Sequence, residues 1–286
     1  MKSWIPENLN GVSIDPEYGS VMPPIYQTST YAQTTPGGYK GFEYSRSANP
    51  TRSALEAAFA SIENGEFGLA FGSGLAAIDA VMKLLKPADE VISTNDLYGG
   101  TYRLFTKIFE GFGIKFHFVG MENAEKIEEY INSKTKLIWV ETPTNPMMNI
   151  IDIKKAALIV KDKALAEKLY FIQNASGAVC GPQDSFLALR GLKTLHIRMQ
   201  RHCENGKAVA EYLAKHPKIE NVYWPGFENH PNHSIAKEQM KDYGGMISFV
   251  TKGNNYDEAI KIVEMLKIFT LAESLGGVER SCRTSS

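Results

Sequence analysis

Apolar runs of strand length recur along this chain with helix-length segments between them, and that alternation limits its fold more than any other feature. EVIST (90–94), IKFHFVG (114–120) and KLIWVET (136–142) read as strands. TYRLFTKIFEGFG (101–113) and AEKIEEYIN (124–132) separate them as helices. Upstream, LEAAFASIENG (55–65) places Leu55, Ala58, Phe59 and Ile62 on one helical face. GLAF (68–71) reads as a short strand, and GSGLAAIDAVMKLL (72–85) as a turn entering a helix. Apolar strands alternating with helices of this length predict a doubly wound, mainly parallel α/β sheet.

The rhythm breaks after Asp152. In NIIDIKKAALIVKDKALAEKLYFIQNASG (149–177), Ile153, Ala156, Ala157, Leu158, Ala164, Leu165, Leu169 and Phe171 continue as helix across Lys161-Asp162-Lys163. No strand follows. Such a helix is expected to offer nothing to a bare strand edge, because a helix backbone satisfies its own hydrogen bonds. Further on, residues 185–217 read as a long helical stretch broken near Gly191. ENVYWPG (220–226) and GGMISFVTKG (244–253) read as strands, and YDEAIKIVEMLK (256–267) as an amphipathic helix. The expected division is an extended arm over 1–50, a large domain over 51–195 and a smaller α+β domain over 196–286.

Composition narrows the function. Of 286 residues, 43% are hydrophobic, enough for a buried core. With 31 Lys+Arg against 32 Asp+Glu, net charge draws the chain to neither nucleic acid nor a membrane surface. No apolar run reaches membrane-spanning length, and the first residues form no signal-peptide core, so a cytoplasmic protein is expected. Three scattered cysteines suggest neither a disulfide framework nor a zinc site. His230-Pro231-Asn232-His233 has no further ligands nearby, and reads as a loop rather than a metal site.

Four segments carry candidate chemistry. Gly72-Ser73-Gly74 lies between a strand and a helix, where free N–H groups and the positive helix end favour a phosphate; a plain capping turn is the competing reading. Tyr44-Ser45-Arg46 lies in the arm, and Arg46 has the planar fork that suits a phosphate; solvated surface is the alternative. Tyr98, just past a strand's C-terminal end, stands where ligands collect in open sheets and offers a ring to stack on a flat cofactor, unless it is a core tyrosine. Glu141-Thr142-Pro143-Thr144-Asn145-Pro146 follows another strand end, with Asn145 able to donate and accept or simply to stiffen a turn.

Taken in order, YSRSANPTR, GSGLAAI, DLYGGTYRLF, ETPTNP, GPQDSFLALRGLKTLHIRM and LAESLGGVE resemble the Cys/Met-metabolism enzymes that use pyridoxal phosphate, the group of cystathionine γ-synthase and cystathionine γ-lyase. The resemblance runs over nearly all of residues 18–279. It implies an aspartate-aminotransferase-like (fold type I) large domain with a smaller α+β domain, a homotetramer, and pyridoxal 5'-phosphate as cofactor. It implies γ-replacement or β/γ-elimination on a sulfur amino acid or activated homoserine. Gly72, Ser73, Gly74 and Leu75 match the phosphate-holding turn, and Tyr44 and Arg46 match residues lent to the neighbouring subunit. Tyr98 matches the ring that stacks on the pyridine and can act as a base. Asn145 matches a residue near the phenolic oxygen, and Glu273 and Ser274 lie on the substrate side. Gly100 stands where methionine γ-lyases typically carry a cysteine.

The chain also departs from that pattern. Family members follow the helix matching Ile153–Leu158 with an Asp-Asn-Thr strand, whose Asp pairs with the pyridinium nitrogen. A Ser-x-Thr-Lys strand then supplies the Schiff-base lysine. Here the pattern resumes at once near Val160 with KDKALAEKL, so both strands are expected to be missing near Ile159, with no lysine in that role. The closing strands of the small domain and the arginine that grips the substrate carboxylate are expected to be absent too. RSCRTSS (280–286) matches nothing in the family pattern.

Overall fold

A computed structural model describes residues 15, 17–157, 165–253, 256–272, 281–282 and 284. Its centre is a parallel three-stranded sheet in the order β4-β3-β5, with β3 Glu90–Thr94, β4 Lys115–Val119 and β5 Thr135–Trp139. All five residues of β3 are buried, as expected of a strand paired on both sides and covered on both faces. In β5, paired on one side only among the described residues, no residue is fully buried.

Helices α1 (Pro50–Ile62) and α2 (Gly74–Met82) precede the sheet. Asn49 caps α1 by accepting from the N–H groups of Thr51 and Arg52, with Pro50 at the first helical position. The helix after β3 changes pitch along its length. It is α-helical as α3 over Gly99–Leu104, π-helical over Phe105–Phe109 and 3-10 over Glu110–Phe112, and it ends at Gly113 with φ of 80°. Phe105 is buried, stacked on Phe116 at 4.6 Å and edge-on to Trp139 at 5.7 Å. After α4 (Glu125–Glu128) and β5 come α5 (Ile153–Ala157) and α6 (Leu165–Ser176). The expected join between those two helices, with Lys161 and Lys163, lies outside the described residues.

GLAF is not a strand. Phe71 makes one antiparallel bridge to Val179, and no ladder extends from it. Side chains of the neighbouring helices hold this segment instead. Gln173 of α6 donates its Nε2 to the Ala70 carbonyl at 2.9 Å, and Glu56 of α1 accepts the Ala70 N–H at 3.0 Å. Side chains do here what a helix backbone cannot.

Helix α7 (Pro182–Leu192) packs on α1, and α8 (Leu195–Ala214) begins just past the predicted break near Gly191. The smaller unit pairs β6 (Ile219–Tyr223) antiparallel with β7 (Ser248–Thr251), and α10 (Tyr256–Met265) follows. Around α9 (His233–Gln239) the chain is stapled to the segment after β5. Asn232 Nδ2 donates to the Ile150 carbonyl at 2.6 Å, and Gln239 Nε2 to that of Ile151 at 2.8 Å. In the arm, β1 (Gln33–Thr35) and β2 (Gly38–Tyr39) form a small hairpin. Upstream of it the arm is tied to the start of α1, where Thr51 Oγ1 donates to the Pro24 carbonyl and accepts from the Tyr26 N–H. At the other end, β8 (Thr270–Leu271) pairs in parallel with β9 (Ser281–Cys282).

No helix among the described residues is long and apolar enough to cross a membrane.

Candidate active site

The C-terminal ends of β3 and β5 lie side by side, and the loops beyond them interlock. Glu141, two residues past β5, accepts the Tyr98 N–H on Oε2 at 2.8 Å. Its Oε1 accepts the Thr101 hydroxyl at 2.8 Å and the Trp139 indole N–H at 3.1 Å. Asp96, two residues past β3, reaches the other way. Its Oδ2 accepts the Thr144 hydroxyl and, at 2.9 Å, the Met147 N–H. Buried Thr144 also accepts the Asn149 N–H at 2.9 Å, which closes the loop around half-buried Asn145. The Thr142–Pro143 and Asn145–Pro146 peptides are cis. Tyr98 begins α3 and is 46% exposed, so it is not the core tyrosine of the alternative reading.

Ser73 caps α2, its hydroxyl accepting the Ala76 N–H at 3.1 Å. Gly72, Ser73, Gly74 and Leu75 are exposed, and space around Gly74 is open enough that an added Cβ would meet no atom within 4 Å. The first N–H groups of a helix have no intrahelical acceptor, so this turn presents donors and the positive helix end together. Since α2 packs against α3, the turn and Tyr98 sit at the N-terminal ends of neighbouring helices, with Tyr98 just beyond the C-terminal end of β3.

Tyr44 and Arg46 pair with each other, the guanidinium lying 5.4 Å from the ring centroid. Arg46 Nη1 donates to the Asn174 carbonyl of α6 at 2.6 Å. Two residues past that helix, Ala178 accepts the Gly72 N–H at 3.2 Å, so the end of α6 links the arm to the glycine turn. The loop carrying Arg46 is shaped by Arg52, which is 2% exposed and donates to the carbonyls of Ser45, Arg46 and Ser47. Reading motifs from the sequence gave no role to Arg52, Asp96 or Glu141. The available signal was a carboxylate placed just past each strand end.

Glu273 and Ser274 lie outside the described residues. One string in the chain does spell Ser-x-Thr-Lys, namely Ser133-Lys134-Thr135-Lys136. A reading by family order passes over it, and its position disqualifies it from the Schiff-base role. It enters β5 at the N-terminal end, opposite Tyr98 and Asn145, and Lys136 Nζ donates to the Ser133 carbonyl at 3.0 Å. His230 lies in the loop before α9, as expected. It is buried, with Nε2 3.0 Å from the Met148 carbonyl, and burial pushes its pKa below the ordinary histidine value. Among the described residues no group of three or more His, Cys, Asp or Glu could hold a metal ion.

A flat, phosphate-bearing cofactor fits part of this arrangement. The uncovered donors of the turn at Ser73 suit its phosphate, and the exposed Tyr98 ring suits its face. The lysine that would bind it covalently has no counterpart among the described residues directly past the C-terminal ends of β3, β4 and β5.

Comparison with known proteins places the chain. The model of the Cys/Met metabolism PLP-dependent enzymes matches residues 9–164 and 156–284. The two matches meet where the missing strands are expected, and the second runs through most of RSCRTSS, against the expectation that this tail matches nothing. Relatives include a cystathionine beta-lyase of Coxiella burnetii, 44% identical, covering 94% of this chain and 83% of its own length. A cystathionine gamma-lyase of Dictyostelium discoideum is 41% identical, covering 94% and 82%. A cystathionine gamma-synthase of Mycobacterium bovis is 40% identical over the same shares. The first alignment spans 321 residues, more than the 286 of this chain, so that relative carries internal sequence that this chain lacks. Among solved structures, metB from Corynebacterium glutamicum superposes with a TM-score of 0.91 at 37% identity, covering 94% of this chain and 83% of that one. The chain belongs to the family of Cys/Met-metabolism enzymes that depend on pyridoxal phosphate, and it has their fold type I architecture.

Proposed function

We propose that the chain carries the site framework of a transsulfuration enzyme, one that performs γ-replacement or β/γ-elimination on a sulfur amino acid or activated homoserine. The observation that carries this reading is the shared rim of Tyr98, Glu141 and Asn145 beside the open turn at Ser73. In it, Gly72, Ser73, Gly74 and Leu75 hold the phosphate of pyridoxal phosphate, Tyr98 covers the ring, and Asn145 bonds the phenolic oxygen. Glu273 and Ser274 are the substrate-binding residues in this reading. Tyr44 and Arg46 serve a neighbouring copy in a homotetramer, which requires Arg46 to leave the Asn174 carbonyl it bonds here. When bound, the cofactor supplies an electron sink for carbanion chemistry at the substrate.

A second reading is favoured by the lack, among the described residues, of a lysine directly past the ends of β3, β4 or β5: a binder of phosphate ligands, or a subunit-joining protein, without turnover. Incubation with pyridoxal phosphate, borohydride reduction and peptide mapping separates the two. Scattered, substoichiometric labelling with no product from cystathionine supports the binder. One stoichiometric pyridoxyl-lysine together with product release would establish the enzyme and overturn the binder.

A further inference from the structure

We propose that Asp96 and Glu141 are a reciprocal pair of positioning residues, which set Tyr98 against Asn145 and thereby seat a flat aromatic phosphate ligand; this rests on the site reading above. Each carboxylate springs from the end of one strand and grips the loop beyond the other. Glu141, past β5, holds the backbone of Tyr98 and the hydroxyl of Thr101. Asp96, past β3, holds Thr144 and Met147, which bracket Asn145. Hydrogen bonds to ionised carboxylates are roughly twice as strong as neutral ones. Neither loop can shift without breaking bonds that belong to the other.

Tyr98 has a further restraint. Its ring folds over Gly100, where an added Cβ would come within 2.3 Å of the ring Cε1. The carboxylate thus fixes the tyrosine's backbone, and the bare glycine admits its ring. Trp139 shares Glu141 Oε1, which places a fluorescent reporter inside the pair.

The test uses the full chain and pyridoxamine phosphate, which has no aldehyde and so depends on no lysine. Binding is read by Trp139 emission and equilibrium dialysis, and the loops by hydrogen exchange at the Tyr98 and Met147 amides. Glu141→Gln should speed exchange at both amides, although only Tyr98 touches Glu141, and should weaken binding about tenfold, the loss of one charge-assisted bond. Asp96→Asn should do the same from the other side. Gly100→Ala should leave both amides protected yet weaken binding, because it moves the ring alone. Wild-type affinity in all three variants would overturn the proposal, as would exchange that speeds only at the amide touching the mutated carboxylate. Should the wild-type chain not bind pyridoxamine phosphate at millimolar concentration, the site reading falls. The exchange pattern then still decides the pair: coupled speeding upholds it, and uncoupled speeding overturns it.

Discussion

The rim where β3 and β5 end and the seam around residues 68–71 solve the same problem with different completeness. At the rim, pairing and packing are both finished: β3 is wholly buried, and its end is locked to that of β5 by two carboxylates. At the seam only pairing is finished. The Ala70 N–H meets Glu56, and its carbonyl meets both Gln173 and the Cys180 N–H. Beside it opens a surface pocket of about 660 Å³, whose lining includes Phe67, Leu69, Phe71, Ala77, Val81 and Leu169. A lost hydrogen-bond partner can be replaced by one well-placed amide or carboxylate. Lost packing needs volume, and two side chains do not supply the volume of a strand.

Truncation should break this comparison first if it is wrong. Phe105→Ala empties a fully buried ring site against Phe116 and Trp139, and should cost about 3–5 kcal/mol in urea unfolding. Phe71→Ala merely enlarges an existing pocket and should cost a small part of that. Equal losses would show the seam to be as well packed as the rim.

A smaller effect probes the replacement bond itself. Gln173 is 1% exposed, and Gln173→Leu keeps its bulk while removing the bond to Ala70. Since Cys180 still donates to that carbonyl, the loss should be about 1 kcal/mol, the net worth of one ordinary bond. A loss several times larger would mean that Gln173 holds the seam together alone.

What could be read from the sequence follows the range over which each feature is decided. Residues 90–94 are expected as a strand and are one, because three β-branched residues in five, Val91, Ile92 and Thr94, favour it locally. Ser73 as the start of a helix is local too. GLAF has strand composition but no neighbouring ladder, and membership of a sheet is never written in the segment itself. The tasks of Asp96 and Glu141 depend on β3 lying beside β5, so the letters alone do not state them. Ser133-Lys134-Thr135-Lys136 makes the converse point: the letters of a motif at the wrong end of a strand carry none of its chemistry.

Acid should separate rim and seam by sign rather than size. His230 serves the rim side: Nε2–H donates to the Met148 carbonyl, and Nδ1 accepts the Asn232 N–H at 3.3 Å, so its neutral form is the bonded one. Burial lowers its pKa below the ordinary 6.5. In the window beneath that value the unfolded chain binds a proton that the folded chain refuses, so stability falls as pH drops through it. Glu56 serves the seam, and burial raises its pKa above 4.5 despite its bonds to Ala70 and Arg52. Between 4.5 and its raised value the folded chain holds the proton more tightly, so stability rises as pH falls. Urea unfolding at a series of pH values on His230→Gln and Glu56→Gln reads the two apart. The first variant should lose the acid sensitivity below neutrality, and the second the gain at lower pH. If His230→Gln leaves the pH profile unchanged, the imidazole is not held neutral against Met148, and the staple between the small unit and the rim rests on Asn232, Gln239 and the Lys154–Glu238 pair.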